Sequence, residues 1–369
     1  MAQTNVTIKL EKVDEVESSR ERARVTEHHI EDTSYVKYPG NYYGVDDTWK
    51  AERFKKLLRV EIHKYEFGRY LEIDLFGVGP AIANAYRRIM LAEVPTMAIE
   101  HCFISNNTSV IQDEMLAHRL GMIPLKVDPS KFEWKPVEAP PDSTSKAHTI
   151  CLALKAKCVK LDDVEPGKVG RRENLYKNYK IYSRHLKWIP LADQGKMFTG
   201  KDAIRPVNRN ILIAKLRGGQ EIDLKVHAIK GIGRDHAKFS PVATVSYRLL
   251  PEIKLKERIF GDESRRLQES FSHGVIELIG INQEAKVVDA RIDSGSRNVF
   301  RHSDLKDKVE YDLIKDHYIF TIESTGAISS LDILLQSCDI LEAKCELFLK
   351  EIERTRNPVD MFVPVVNMI

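Results

Sequence analysis

Nowhere in these 369 residues do about 18 apolar residues run together, which argues against a membrane-spanning helix. The first twenty residues, MAQTNVTIKLEKVDEVESSR, are polar and acidic and lend no support to a secretory signal. Cysteine is scarce. Cys102, Cys151, Cys158, Cys338 and Cys345 form no C-x-x-C, so neither a disulfide framework nor a structural zinc site is indicated, and the five are expected to be buried thiols. An excess of one charge is missing too: 57 lysines and arginines stand against 54 acidic residues, a formal net charge of +3. That balance excludes a broad electrostatic footprint for nucleic acid, so any such contact must be local or indirect. The 12 histidines include no H-E-x-x-H, and neither G-x-S-x-G nor G-x-x-x-x-G-K-[ST] occurs, which leaves no positive case for an enzyme. What is present, a 43% hydrophobic chain of this length, suffices for two or three globular cores in a soluble protein of cytosol or nucleus.

Residues 1–56 show no sustained period and read as an extension that wraps or stays mobile. From Leu58 the pattern sharpens. LRVEIHKY and LEIDLF alternate around Gly68, predicting a β-hairpin. After Gly77, Gly79 and Pro80 the period changes to 3.6, with Ile82, Ala85, Tyr86 and Ile89 on one face of PAIANAYRRIMLA, an amphipathic helix. MAIEHCFI follows as a strand, and Ser109 with Gln112 suggests a capping box opening the helix QDEMLAHRL. The stretches 137–147 and 164–180 read as loops. ILIAKL and EIDLKVHAI, separated by RGGQ, carry a hairpin signal, and ATVSYRLL adds a further strand to a β-rich middle third. GVIELIG, KVVDARI and HYIFTIES are strand-like and precede a long helix starting near Ser329.

That helix holds the strongest pattern in the chain. Leu331, Leu334, Cys338, Leu341, Cys345, Phe348 and Ile352 recur three and four apart, and Leu335, Ile340, Leu347 and Leu349 widen the stripe. Covering seven such side chains is worth roughly 1.5 to 3 kcal/mol each, of order 10 kcal/mol gross. Packing on its own sheet and packing on a partner helix both satisfy this periodicity.

Three further features bear on function. GIGRDH (231–236) superficially suggests a phosphate loop, but His236 stands at the third glycine position and strand-like sequence with Pro241 follows, so no helix N-terminus is offered to a phosphate. The turn either presents Lys230, Arg234, His236 and Lys238 to a partner or is simply solvated. His118 and Arg119 lie beside Asp113 and Glu114 without a nucleophile or second metal-spaced ligand, which favours a structural or interfacial role over acid–base work. Arg87 and Arg88 project from the flank and back of the first helix, where guanidinium forks suit carboxylates and carbonyls at an interface.

FGVGPAIANAYRRIMLAEVPTMAIE and NNTSVIQDEMLAHRLGMIPL closely resemble the alpha motif of the alpha-like subunits of cellular RNA polymerases, the family of bacterial alpha and archaeal D. The resemblance continues collinearly through RHLKWIPL, IRPVNRNILIAKLRGGQEIDL, KGIGRDHAKFSPVATVSYRLLP, RIDSGSRNVFRHSDL and DHYIFTIESTG, over roughly residues 40–355. It is strongest to the alpha-like subunit shared by eukaryotic RNA polymerases I and III. It implies an α+β fold: a discontinuous dimerisation domain of sheet and two packing helices at 57–105 and 264–356, a β-rich domain inserted at 106–263, and a tail at 357–369.

The resemblance further implies a non-catalytic assembly subunit of the nucleus and nucleolus. Ile82, Ala85, Tyr86, Ile89 and the seven-residue stripe would form a heterodimer with a small alpha-like subunit. Arg87, Arg88, His118, Arg119, Arg234 and His236 would dock the second-largest and largest subunits, with DNA met only through the complex. Cysteine clusters that some relatives carry in the inserted domain are missing, where only Cys151 and Cys158 stand, so no metal and no cofactor are expected.

Overall fold

The computed structural model describes residues 16–34, 46, 48–161 and 175–356. The first half opens with β1 (Arg22–Arg24), α1 (Ala51–Leu57), β2 (Arg59–Glu66), β3 (Tyr70–Phe76), α2 (Pro80–Ala92), β4 (Thr96–Asn107) and α3 (Asp113–Gly121). A strand-rich stretch follows: β5 (Leu125–Lys126), β6 (Ile150–Lys157), β7 (Val159–Lys160), β8 (Tyr176–Lys177), β9 (Lys180–Tyr182) and β10 (Lys187–Ile189). Then come α4 (Gln194–Met197), β11 (Arg205–Pro206), β12 (Leu212–Lys215), β13 (Glu221–Gly231) and β14 (Val242–Leu255). The last third holds α5 (Gly261–Ser270), β15 (Ile276–Ile279), β16 (Glu284–Val287), β17 (Val309–Ser324) and α6 (Ser330–Arg356). The class is α+β, as the sequence led us to expect.

Strand order is β1-β17-β3-β2 in one sheet, with β14 also on β17, and β10-β6-β13-β4 in a second. The β2–β3 hairpin turns at Phe67 and Gly68, whose φ values are 50° and 69°, and Arg69 N–H closes the turn on the Glu66 carbonyl at 2.9 Å. Two left-handed central residues match the right-handed twist of the flanking strands. Pro80 begins α2, where its missing N–H costs nothing.

Three expectations need correction. RGGQ is not a hairpin turn: β12 pairs with β9, while β13 lies between β6 and β4. Both edges of β13 are occupied, so the glycines redirect the chain from one sheet to another. The capping box at Ser109 does not form, and α3 begins at Asp113 with Gln112 before it. Asn107 takes Ser109 instead, its Oδ1 accepting from the Ser109 backbone at 3.1 Å and hydroxyl at 2.7 Å, a local turn that competes with helix.

Of the extension expected before residue 57 to wrap or stay mobile, one described part lies along β17. β1 pairs antiparallel with β17, Arg22 opposite Ile314 and Arg24 opposite Asp312, and the buried Lys315 ammonium donates to the carbonyls of Ser19 at 2.7 Å and Ser34 at 3.0 Å. A three-residue strand is too short to show a period. Finally, the stretch 164–180 holds β8 and the start of β9. Residues 164–174 and the expected tail 357–369 lie outside the described residues.

The chain divides into two compact units. One combines the described residues up to Lys64 with Glu72–Asn84 and Ser246–Thr321. Its core gathers Leu267, Phe271, Val275, Val299 and Tyr311. Beside that core, Asp293 accepts the Tyr311 hydroxyl at 2.7 Å and Asp74 meets Arg291 and His317, each at 2.7 Å. The other unit combines Tyr65–Leu71, Ala85–Val245 and the described residues from Ile322 onward. Its core packs α3 against the four-stranded sheet through Ile99, Leu116, Leu120, Leu152, Leu154, Leu224 and Val226. The borders expected at 105/106 and 263/264 fall inside β4 and α5, which run unbroken across them.

Candidate docking surfaces

Alternation of apolar and polar residues sets the faces of α2. Ala83, Ile89 and Met90 are fully enclosed by this chain, while Ile82, Ala85 and Tyr86 stay half-buried. Ile89, expected on the partner face, therefore belongs to the core, because it sits one turn before Val94, itself buried where the chain turns into β4. Tyr86 shares a hydrogen bond with Cys338 on α6, and burial followed by the neighbouring thiols pushes its hydroxyl up to about 12. Lys344 of α6 reaches Glu93 just beyond α2 at 2.6 Å. The two contacts advance together along both helices, so α2 and α6 run side by side in the same direction.

Twenty-seven residues make α6 about 40 Å long at 1.5 Å per residue. Ser329 caps it, its hydroxyl accepting from Asp332 N–H at 3.1 Å, and Ser330 N–H is held by the Gly68 carbonyl at 2.9 Å. The inward face is Ser330, Ile333 and Ser337 at i, i+3 and i+7, all fully buried, a large apolar side chain between two small serines. Leu331, Leu334 and Leu341 are half-buried, whereas Cys338, Cys345, Phe348 and Ile352 are exposed. From Glu342 to Lys350 every residue is exposed, and Phe348 stands at 71%. Packing on its own sheet thus accounts only for the first half of the stripe. Cys338 and Cys345 also depart from the expected buried state, while Cys151 and Cys158 keep it and Cys102 is intermediate.

The GIGRDH turn lies against the end of α2. A Cβ on Gly233 would come within 2.3 Å of the Leu91 carbonyl oxygen, so only glycine permits this approach, and Arg234 N–H donates to the Ala92 carbonyl at 2.8 Å. Arg234 and Arg88 are exposed, and Arg87 is half-buried. His236 accepts the Lys238 N–H through Nδ1 at 3.1 Å and lies 6.3 Å from the His118 ring on α3. The Lys238 ammonium pairs with Glu100. His118, His236, Glu100 and Lys238 border a cavity of about 240 Å³. Arg119 is engaged within the chain, donating to the carbonyls of Leu212 at 2.7 Å and Ile213 at 3.0 Å. Lys230 likewise turns inward, to the Phe132 carbonyl at 3.1 Å. The tertiary fold therefore links the end of α2, the glycine turn and α3 into one continuous surface, which sequence spacing did not reveal. Among the described residues no cluster of three histidine, cysteine or acidic side chains could hold a metal.

Residues 72–345 match the family described as the RNA polymerase Rpb3/Rpb11 dimerisation domain. The chain belongs to that family. It is 44% identical over 340 residues to the mouse protein named DNA-directed RNA polymerases I and III subunit RPAC1, covering 92% of this chain and 97% of the relative. The Saccharomyces cerevisiae protein of the same name is 43% identical over 320 residues, covering 86% and 95%. An archaeal relative, DNA-directed RNA polymerase subunit Rpo3 of Methanosphaera stadtmanae, is 30% identical over 273 residues, covering 73% and 90%.

Proposed function

We propose that this chain is a non-catalytic assembly subunit shared by RNA polymerases I and III, serving synthesis of ribosomal RNA, transfer RNA and 5S RNA in the nucleus and nucleolus. It pairs with a small alpha-like subunit through the outer faces of α2 and α6: Ile82, Ala85, Tyr86, Leu331, Leu334, Cys338, Leu341, Cys345, Phe348 and Ile352. The single observation that carries this reading is the exposed apolar stripe on the second half of α6. An apolar face of that length left in water is a docking surface. The dimerisation domain in this reading comprises 57–105 and 264–356, with 106–263 inserted. Arg87, Arg88, Arg234, His118 and His236 form the surface for the second-largest and largest subunits, and Arg119 supports it by fixing α3 on β12. DNA is met only through the complex.

Affinity purification of the tagged chain from its native cells at moderate salt, followed by mass spectrometry, tests this. The large subunits of both polymerases I and III are expected. One set alone would reassign the chain to a single polymerase, and neither would overturn the proposal.

A further inference from the structure

From Trp49 to Ile62 the chain leaves large apolar side chains in water. No residue of α1 is buried and all eight residues of β2 are exposed. Yet Trp49, Leu57, Leu58, Val60 and Ile62 lie in this stretch, Trp49 at 72% exposure and Ile62 at 60%. Single exposed apolar residues are ordinary, whereas a run of them marks a docking surface. The register of the first hairpin shows which face they occupy. The Arg59 guanidinium lies 4.1 Å over the Phe76 ring and His63 Nε2 stands 3.9 Å from Asp74 Oδ2, so these residues of β2 share a face with Asp74 and Phe76 of β3. Val60 and Ile62 are on the opposite face, where Ile73 and Leu75 of β3 are buried.

The core face of this sheet therefore runs on past β3, and its cover stops one strand short. β2 is also the last strand in the order β1-β17-β3-β2, an edge without a further strand among the described residues. Next to it, a cavity of about 300 Å³ opens between α1 and the start of α2, with Trp49, Phe54 and Leu57 on one side and Ala81 and Ile82 on the other. Glycine makes this arrangement possible: a Cβ on Gly77, whose φ is 72°, would come within 2.6 Å of the Leu57 carbonyl.

We propose that this cavity and the open face of β2 extend the heterodimer interface, the small alpha-like subunit seating a large apolar side chain in the cavity and laying an apolar segment over Val60 and Ile62. The inference rests on the reading that this subunit covers the outer face of α2. Ile82 carries the continuity, since it stands half-buried on that face and also lines the cavity. One partner can thus cover both surfaces without a break. An aromatic such as Trp49 at the rim of an apolar cavity is the kind of residue on which binding energy concentrates once water is excluded.

The test is a fluorescence titration of the full-length chain with the purified small alpha-like subunit. Tryptophan emission is expected to shift to the blue on binding, and the shift to vanish in W49F, because an exposed indole becomes enclosed. V60D/I62D should bind about tenfold or more weakly with an unchanged melting temperature, both side chains being exposed in the free chain. V60T/I62T keeps the β-branched shape that suits a strand and should lose severalfold, which decides the matter if the Asp variant misfolds. Parental affinity in V60D/I62D, or emission unmoved by binding, overturns the proposal. Loss of the large subunits from V60D/I62D with the small one retained overturns it in favour of another polymerase subunit. A Trp49 contribution already blue in the free chain overturns it in favour of cover by this chain's own residues. F348D/I352D on α6 separates the two readings: if it abolishes binding while V60D/I62D does not, this proposal alone fails, and if the parent chain does not bind the small subunit, the reading beneath it fails as well.

Discussion

The Lys344 ammonium on α6 donates to Glu93 Oε1 at 2.6 Å, while Cys338, six residues earlier on α6, meets Tyr86, seven residues before Glu93. These paired contacts lay the two helices side by side with a common direction. They also separate two jobs of α6: its first half holds the helix to its own chain, and its second half carries apolar side chains that nothing in the described chain covers.

Phe348→Asp with Ile352→Asp should therefore abolish co-purification of the small alpha-like subunit. Because both side chains are exposed, the stability of the isolated chain should change by less than about 0.5 kcal/mol. Ile333→Ala, on the fully buried face, should cost about 2 to 5 kcal/mol. Chemical denaturation of the isolated chain and pull-down of the partner give the two readouts, and loss of stability in the double variant would count against the division of α6.

Arg88→Ala should leave the small partner bound and weaken recovery of the large subunits, since Arg88 is exposed on the side of α2 away from its buried face. Quantitative mass spectrometry of the purified complex checks this. Unchanged large-subunit recovery would remove Arg88 from the docking surface.

Gly233→Ala should destabilise the second unit by about 1 to 3 kcal/mol, because the added methyl meets the Leu91 carbonyl and backbone must shift. Gly195→Ala, where the new Cβ meets only Pro190 side-chain atoms at 3.5 Å, should be nearly neutral. A thermal melt of each variant distinguishes this close approach from a generic glycine effect.

Asp74 should give the first unit an acid-sensitive contribution. Burial pushes its carboxyl up, but the bonds from His317 and Arg291 outweigh burial and hold it below the ordinary value. The folded value being the lower one, this stabilisation is fully present above about pH 3.9 and is lost as pH falls through the folded value. Asp74→Asn should flatten the wild-type decline below about pH 4 and cost about 3 kcal/mol at neutral pH by leaving Arg291 short of a buried partner. Denaturation at a series of pH values measures both effects, and an unchanged acid limb would count against the network.

Much of the local structure was legible because it depends on neighbours in sequence. Ile82, Ala85 and Tyr86 announce the period of α2, the Leu331 to Ile352 stripe announces α6, and the alternation before and after Gly68 announces the first hairpin. Strands of two to four residues, such as β1, β8 and β9, left no readable period because so short a run cannot establish one. RGGQ misled for a related reason: its glycines permit a reversal, but which strand β13 pairs with is decided by partners 64 to 135 residues distant in sequence.

By itself, the sequence determined the two amphipathic helices and the absence of recognised catalytic motifs, since each follows from residue type and spacing along the chain, while the α+β class came from the family resemblance. It also carried the family resemblance that the comparison with known proteins bears out. Only the tertiary structure decided that Ile89 is core while Phe348 is exposed, that Arg119 is committed to the β12 carbonyls while Arg88 is not, and that Gly233 lies on the end of α2. Periodicity reports which residues share a face. Whether a face is covered depends on where distant segments come to rest, and that is a property of the packed chain.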